Sequence, residues 1–221
     1  GQISYDITAQ SAKGIYNTTS LGNGVTVSAA KGSSYKVTST NGKAYGIAAD
    51  NSTLAYGKVN NVNVAATKGD AYGLAATNGG TLSGDGANSI ANVSVTENTA
   101  GYNASGVYAN SGSSVTGASI DKLTVDSAGG AFGIDVEHSS ADMTVGSMVV
   151  NGGDWQATGV NAYSGGSVQL ALSGDLAVKS ANGSAMGVYA LNGSSVKFTG
   201  ARNLNVSADN GDVYGIQSIN S

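Results

Sequence analysis

Ala44-Tyr45-Gly46-Ile47 and Ala71-Tyr72-Gly73-Leu74 are two copies of one signal: a small residue, a variable one, glycine, then Ile, Val or Leu. The signal opens as Ala12-Lys13-Gly14-Ile15. It returns at Ala104–Val107, Ala131–Ile134, Ala157–Val160, Ala185–Val188 and Val213–Ile216. The marker glycines are Gly14, Gly46, Gly73, Gly106, Gly133, Gly159, Gly187 and Gly215, spaced 32, 27, 33, 27, 26, 28 and 28 residues apart. Self-similarity at such a period is the signature of a solenoid or array, in which each unit buries its apolar face only against its neighbours.

Each repeat holds three short extended segments. The first is the marker strand. A corner of Asn, Gly and Ser follows, as at Asp50-Asn51-Ser52, Asn78-Gly79-Gly80, Asn110-Ser111-Gly112 and Asn192-Gly193-Ser194. Asn and Gly tolerate positive φ and so suit tight corners. The second segment is brief and carries Leu54, Leu82, Val115, Met143, Val168 or Val196. The third alternates in pairs: Val62 and Val64, Val93 and Val95, Leu123 and Val125, Met148 and Val150, Leu176 and Val178, Leu204 and Val206. An apolar period of two and 34 glycines both exclude helices. An antiparallel sandwich also uses short strands, but its core does not need one residue class to return every 28 or so positions. The expected fold is therefore all-β: a right-handed parallel β-helix with three strands per coil and about seven coils of 26–33 residues. It forms one domain over residues 1–221 and reads as a fragment of a longer chain.

Strict alternation, applied to the marker strand, places Ile15, Ile47, Leu74, Val107, Ile134, Val160, Val188 and Ile216 inward. By the same rule Tyr45, Tyr72, Phe132 and Tyr214 share that inner face, and the marker glycine forms an outward stripe. The outer row then holds Tyr108, Asp135, Asn161 and Tyr189, with Glu137 beside Asp135. Such a row suits shallow contact with a sugar or peptide. The coils beginning at Gly14 and Gly73 are longer, and their extra residues fall around Leu21-Gly22-Asn23 and either Ala87-Asn88-Ser89 or Thr99–Tyr102. Insertions in solenoids emerge as loops on one side, often the binding side.

Ala131-Phe132-Gly133-Ile134-Asp135-Val136, followed by Ser139-Ser140, resembles the coils of pertactin-like passenger domains of bacterial autotransporters. The resemblance recurs in every repeat. It implies a β-helix exported by a Gram-negative cell, extracellular, and held at the surface by a membrane barrel that is not part of this sequence. Members of the family include adhesins, self-associating proteins, proteases and lipases. The Arg-Gly-Asp tripeptide of some adhesins does not occur here.

Composition narrows the chemistry. Net charge is −4, and the ten Lys and Arg residues are scattered, with Arg202 the single Arg. A nucleic-acid partner needs a basic patch, so none is expected. There is no Cys and a single His, His138, which removes thiolate sites and any His pair for a metal. No nucleophile elbow, phosphate loop or calcium nonapeptide is present. The expectation is no cofactor, no metal and no catalysis. The chain reads as an adhesin or self-association segment whose partner is a host surface protein, a glycan, or the same protein on a neighbouring cell. The competing reading is a polysaccharide-degrading β-helix enzyme. It rests on Asp135 and Glu137, two carboxylates two residues apart, with Asp142 beyond the next corner.

Overall fold

The computed structural model describes residues 4–18, 25–27, 33–84, 90–200 and 202–221. Among these the chain forms strands β1–β21, numbered in chain order. The eight marker copies lie on β2 (Ala12–Thr18), β5 (Ala44–Asp50), β8 (Ala71–Thr77), β11 (Asn103–Asn110), β13 (Gly130–Glu137), β15 (Gln156–Tyr163), β18 (Ser184–Leu191) and β21 (Val213–Ile219). These pair in that order, all parallel, into one eight-stranded sheet. Eight strands make seven coil-to-coil steps, so the molecule is a parallel β-solenoid of about seven turns.

A second sheet holds the remaining strands. Its main path runs through β1 (Ser4–Ala9), β4 (Ser33–Ser39), β7 (Val59–Ala66), β10 (Ile90–Glu97), β12 (Ser114–Ser127), β14 (Ser140–Gly152), β16 (Ser167–Leu172) and β19 (Ser195–Thr199). Attached to it are β3 (Val25–Val27), β6 (Thr53–Tyr56), β9 (Thr81–Gly84), β17 (Leu176–Ser180) and β20 (Leu204–Ala208). The second and third segments share this sheet because β12 and β14 run through both without a break. The first half of β14 pairs with β16 and its second half with β17. Gly117 of β12, at φ +63°, stands where the register to β14 shifts by one residue.

The core is a set of columns, like stacked on like. Ile15, Ile47, Leu74, Val107, Ile134, Val160, Val188 and Ile216 are successive register partners, and those from Ile47 to Val188 are buried. The paired apolar residues of the third segment also stack in register from Val62 and Val64 to Leu204 and Val206. In the second segment the column reads Leu54, Leu82, Val115, Ala141, Val168, Val196. Met143 is buried but stands one row further on, between Ala118 and Leu170. Its larger side chain had marked it for the column that Ala141 occupies.

The marker glycine points inward, contrary to the expected outward stripe. A β-carbon on Gly46 would lie 2.4 Å from Val62 Cγ1 and 2.9 Å from Val64 Cγ2, both core atoms of β7. It would also lie 2.5 Å from the Gly73 carbonyl oxygen of the next coil. Gly46 and Ile47 therefore both serve the interior, and alternation restarts at the glycine. The consequence is that Tyr45 and Tyr72 are not core residues. They stack, with ring centroids 5.0 Å apart, but on the outer face with Ala48 and Ala75. Phe132 and Tyr214 occupy the same outer column.

Corners repeat as faithfully as strands. Asn51, Asn78, Ser111, His138, Ser164, Asn192 and Asn220 each take positive φ, one per coil, between +45° and +57°. The ladder continues through them: Gly79 N–H donates to Ser111 O, Gly112 N–H to His138 O and His138 N–H to Tyr163 O. Of the two longer coils, Leu21-Gly22-Asn23 and Ala87-Asn88-Ser89 lie outside the described residues. Thr99–Tyr102 forms a turn, with Gly101 at φ +95°.

Candidate binding face

The outer face of the marker sheet carries three columns of side chains. One residue before the marker glycine stand Lys13, Tyr45, Tyr72, Ser105, Phe132, Thr158, Met186 and Tyr214. Two residues after it stand Tyr16, Ala48, Ala75, Tyr108, Asp135, Asn161, Tyr189 and Gln217. Four residues after it stand Thr18, Asp50, Thr77, Asn110, Glu137, Tyr163, Leu191 and Ile219.

From Tyr45 to Tyr108, large and small residues trade places between the first two columns. Where the first holds Tyr45 and Tyr72, the second holds Ala48 and Ala75. In the coil after them the order reverses, with Ser105 in the first column and Tyr108 in the second, and in the coil before them Tyr16 stands beside Lys13. Four rings thus meet over a floor of alanine methyls. Tyr16 meets Tyr45 edge-on at 5.7 Å, Tyr45 stacks on Tyr72, and Tyr72 lies 4.7 Å from Tyr108. Offset and edge-on arrangements suit the ring quadrupoles. Lys13 Nζ sits 3.5 Å above the Tyr16 ring, and Lys43 Nζ is 3.5 Å from Asp70.

The hydroxyls are tied down. Tyr16 donates to Asp50 at 2.8 Å, and Tyr72 to Asp70 at 3.1 Å. Burial raises the pKa of both phenols, and the neighbouring carboxylates raise it further. Burial alone would raise the Asp50 carboxyl, but hydrogen bonds from Asn78, Tyr16 and Thr77 hold it below the ordinary range. Burial pushes Tyr108 up to about 12, helped by the charges of Asp135 and Glu137.

The five residues singled out from the sequence come together. Tyr108, Asp135, Asn161 and Tyr189 are successive register partners in one column, and Glu137 stands beside Asp135 in the next. The row faces outward, as expected, but it is not uniformly open. Asp135 is only 8% exposed, and Asn161 Nδ2 donates to its Oδ1 at 2.8 Å. Burial pushes the Asp135 carboxyl up to about 7; the Asn161 bond opposes this and the Glu137 charge adds to it. Tyr163 is the register partner of Glu137 in the next coil, and His138 Nδ1 lies 3.9 Å from the Glu137 carboxylate. Asp142 is on β14 in the other sheet. Among the described residues no three His, Asp or Glu side chains gather as metal ligands would.

The face also includes two exposed aromatic residues, Tyr102, which the sequence placed in the extra length of its coil, and Trp155, which the sequence reading passed over. Trp155 is 58% exposed and Tyr102 38% exposed. Both stand four residues before a marker glycine, where the other coils from Gly46 onward carry Gly42, Gly69, Gly129, Gly183 and Gly211. Laying the repeats over one another at that position would have exposed them as the two exceptions.

No protein-family profile, curated protein or solved structure matches the chain. Function must therefore be argued from this face.

Proposed function

We propose that this chain is a non-catalytic, surface-displayed segment of an autotransporter passenger that acts in adhesion or self-association. In this reading the coil is three-sided and right-handed, and the protein works outside a Gram-negative cell. The observation that carries it is the outer face of the marker sheet: tyrosines, amides and acids held in register along the rod on a bed of parallel strands. Each contact such a face makes is shallow. Repetition along a rod, or between rods on apposed cells, can raise avidity by about 10²–10⁴ without one strong site. The resemblance of the coils to autotransporter passengers supplies the cellular setting.

The test is to display the full-length parent on cells that neither aggregate nor adhere, beside a version lacking residues 46–215. Equal display with loss of aggregation or of attachment to epithelial cells, mucin or matrix is the expected result. Equal display with both behaviours unchanged would reduce the segment to a spacer.

One observation favours the enzyme reading. A carboxyl raised to about 7 beside a second carboxylate has the pKa of a general acid. Against it, Asp135 is buried and already bonded to Asn161. Depolymerisation of a polysaccharide by the purified chain, abolished in Asp135→Ala, would establish that reading instead.

A further inference from the structure

The glycines four residues before each marker have a steric cause. A β-carbon on Gly69 would lie 2.4 Å from the Gly42 carbonyl of the preceding coil, and one on Gly211 would lie 2.2 Å from the Gly183 carbonyl. Stacking at this corner leaves no room for side chains in its own direction. Tyr102 and Trp155 break the rule and turn their rings outward. They stand two coil steps apart, with Gly129 of the one intervening coil between. That places their attachment points about 9.6 Å apart, twice the strand spacing.

Between the two rings lies a recess of about 570 Å³. Its floor is Gly129 and Gly130, and its rim carries Asn103 and Asp154. Any side chain at Gly130 would fill it: a β-carbon there would meet Asn103 Oδ1 at 2.6 Å and Trp155 Cε3 at 2.8 Å. Phe132 supports the indole edge-on, at 6.2 Å. The backbone that carries the opposite wall is held by hydrogen bonds. Glu97, buried at the preceding corner, accepts the Thr99 N–H at 2.7 Å, and Thr99 Oγ1 donates to Thr67 O. The Tyr102 carbonyl accepts from Gly130 N–H, and Asn103 N–H donates to Asp70. The longer coil is thus the one that raises this wall.

The attachment points of the two aromatic side chains lie about 9.6 Å apart, and the recess between them, of about 570 Å³, leaves room for one ring beside the indole, since favourable ring-to-ring distances are about 4.5–7 Å. The negative ring faces attract weakly positive C–H groups. A pyranose presents C–H bonds on its faces and hydroxyls at its edge. Asn103 and Asp154, whose Oδ1 accepts from Asn182 Nδ2 at 3.0 Å, line the recess where such hydroxyls would lie. Charge narrows the class further. Among the described residues neither this recess nor the one of about 470 Å³ on the far side of Trp155 is lined by Lys or Arg, while both include Asp154. An acidic polysaccharide would meet only repulsion.

We infer that the slot between Tyr102 and Trp155 binds a pyranose ring of a neutral oligosaccharide. This deepens the adhesive reading and rests on it for the biological setting, but not for the binding itself. Trp155 is the single tryptophan of the chain, so its fluorescence reports on the slot directly. The experiment titrates the purified chain with maltohexaose, cellohexaose and chitohexaose, with hexagalacturonate and a short Phe-Trp peptide as comparators. A saturable change with at least one neutral hexasaccharide, and weaker or no response to the comparators, is expected. Tyr102→Gly should weaken binding about fivefold or more, the loss of one stacking face. Trp155→Gly, followed by calorimetry, should abolish it. Both variants restore the glycine that this corner accepts elsewhere and should keep the far-UV spectrum and denaturation midpoint. Should either unfold, Asp154→Asn, which keeps both rings, should still weaken binding.

No saturable response to any of the three neutral sugars overturns the inference. So does tighter binding of the acidic sugar or the peptide, or unchanged affinity in folded Trp155→Gly. A failed titration removes the slot alone, because the display experiment tests adhesion without it.

Discussion

A β-carbon built on Gly73 would lie 2.5 Å from the Gly106 carbonyl oxygen and 2.6 Å from Val93 Cγ1. Neither neighbour can yield easily, since one is backbone in a ladder and the other is fully packed. Gly73→Ala should therefore destabilise by about 1–3 kcal/mol, as overpacking does. Gly57 is the control: nothing lies within 4 Å of a β-carbon there, and its φ is ordinary. Gly57→Ala should be neutral or should stabilise by about 0.4–1 kcal/mol, through the unfolded chain. Urea denaturation of the pair checks both. Asp135 gives a second test at this scale. Its folded pKa, about 7, lies above the unfolded carboxyl value, so the folded state holds the proton more tightly. The stability it contributes is present below the unfolded pKa and is lost as pH rises through about 7. The denaturation midpoint should fall between pH 5 and pH 8. Asp135→Asn keeps an acceptor for Asn161 and should flatten that fall, raising the midpoint at pH 8. A slope unchanged in the variant would mean that Asp135 is ionised throughout.

Strands and corners differ in how much of them the sequence displays. The inner columns from Ile47 to Val188, and the pairs Val62/Val64 to Leu176/Val178, were legible because a stacked coil needs the same class at the same place every turn. The facing of Tyr45 and Gly46 was not. Period-two alternation holds only while the strand is regular, and nothing in the letters marks a restart at Gly46. The partners that force it, Val62 and Val64, are 16 and 18 residues away. Of the outer row, position could be read but not burial: what encloses Asp135 comes from Tyr108 and Asn161 in other coils. The corners follow backbone need more than side-chain choice. His138 sits at φ +48° where sister corners use Asn or Ser. Left-handed backbone costs an ordinary residue about 1–2 kcal/mol, and glycine costs about 0.4–1 kcal/mol through the unfolded state. His138→Gly should thus raise stability by about 0.5–1 kcal/mol. Loss of stability would show that the imidazole makes a contact worth more than the strain.

Across the whole molecule, a rod of nearest-neighbour coils should tolerate loss of one entire coil and nothing in between. Removing Val107–Gly133 joins Gly106 to Ile134, a cut of 27 residues made between two marker strands at the same register position. The inner columns would then read Leu74 to Ile134 and Val95 to Val150, both apolar, so the variant should fold cooperatively. Its rod should be shorter by about 4.8 Å, visible by small-angle scattering, with a far-UV spectrum still dominated by strand. A cut of half that length would shift every following side chain out of its column and should leave the chain unfolded. The same excision has a second effect, through geometry alone. Gly129 lies in the removed segment, so Tyr102 and Trp155 would fall in adjacent coils, about 4.8 Å apart in place of about 9.6 Å. Two rings at that distance stack on each other, as Tyr45 and Tyr72 do at 5.0 Å, and the slot closes. The shortened rod should therefore lose oligosaccharide binding while keeping both rings, Asn103 and Asp154. If it folds and still binds with unchanged affinity, recognition does not depend on the spacing of the two aromatic walls.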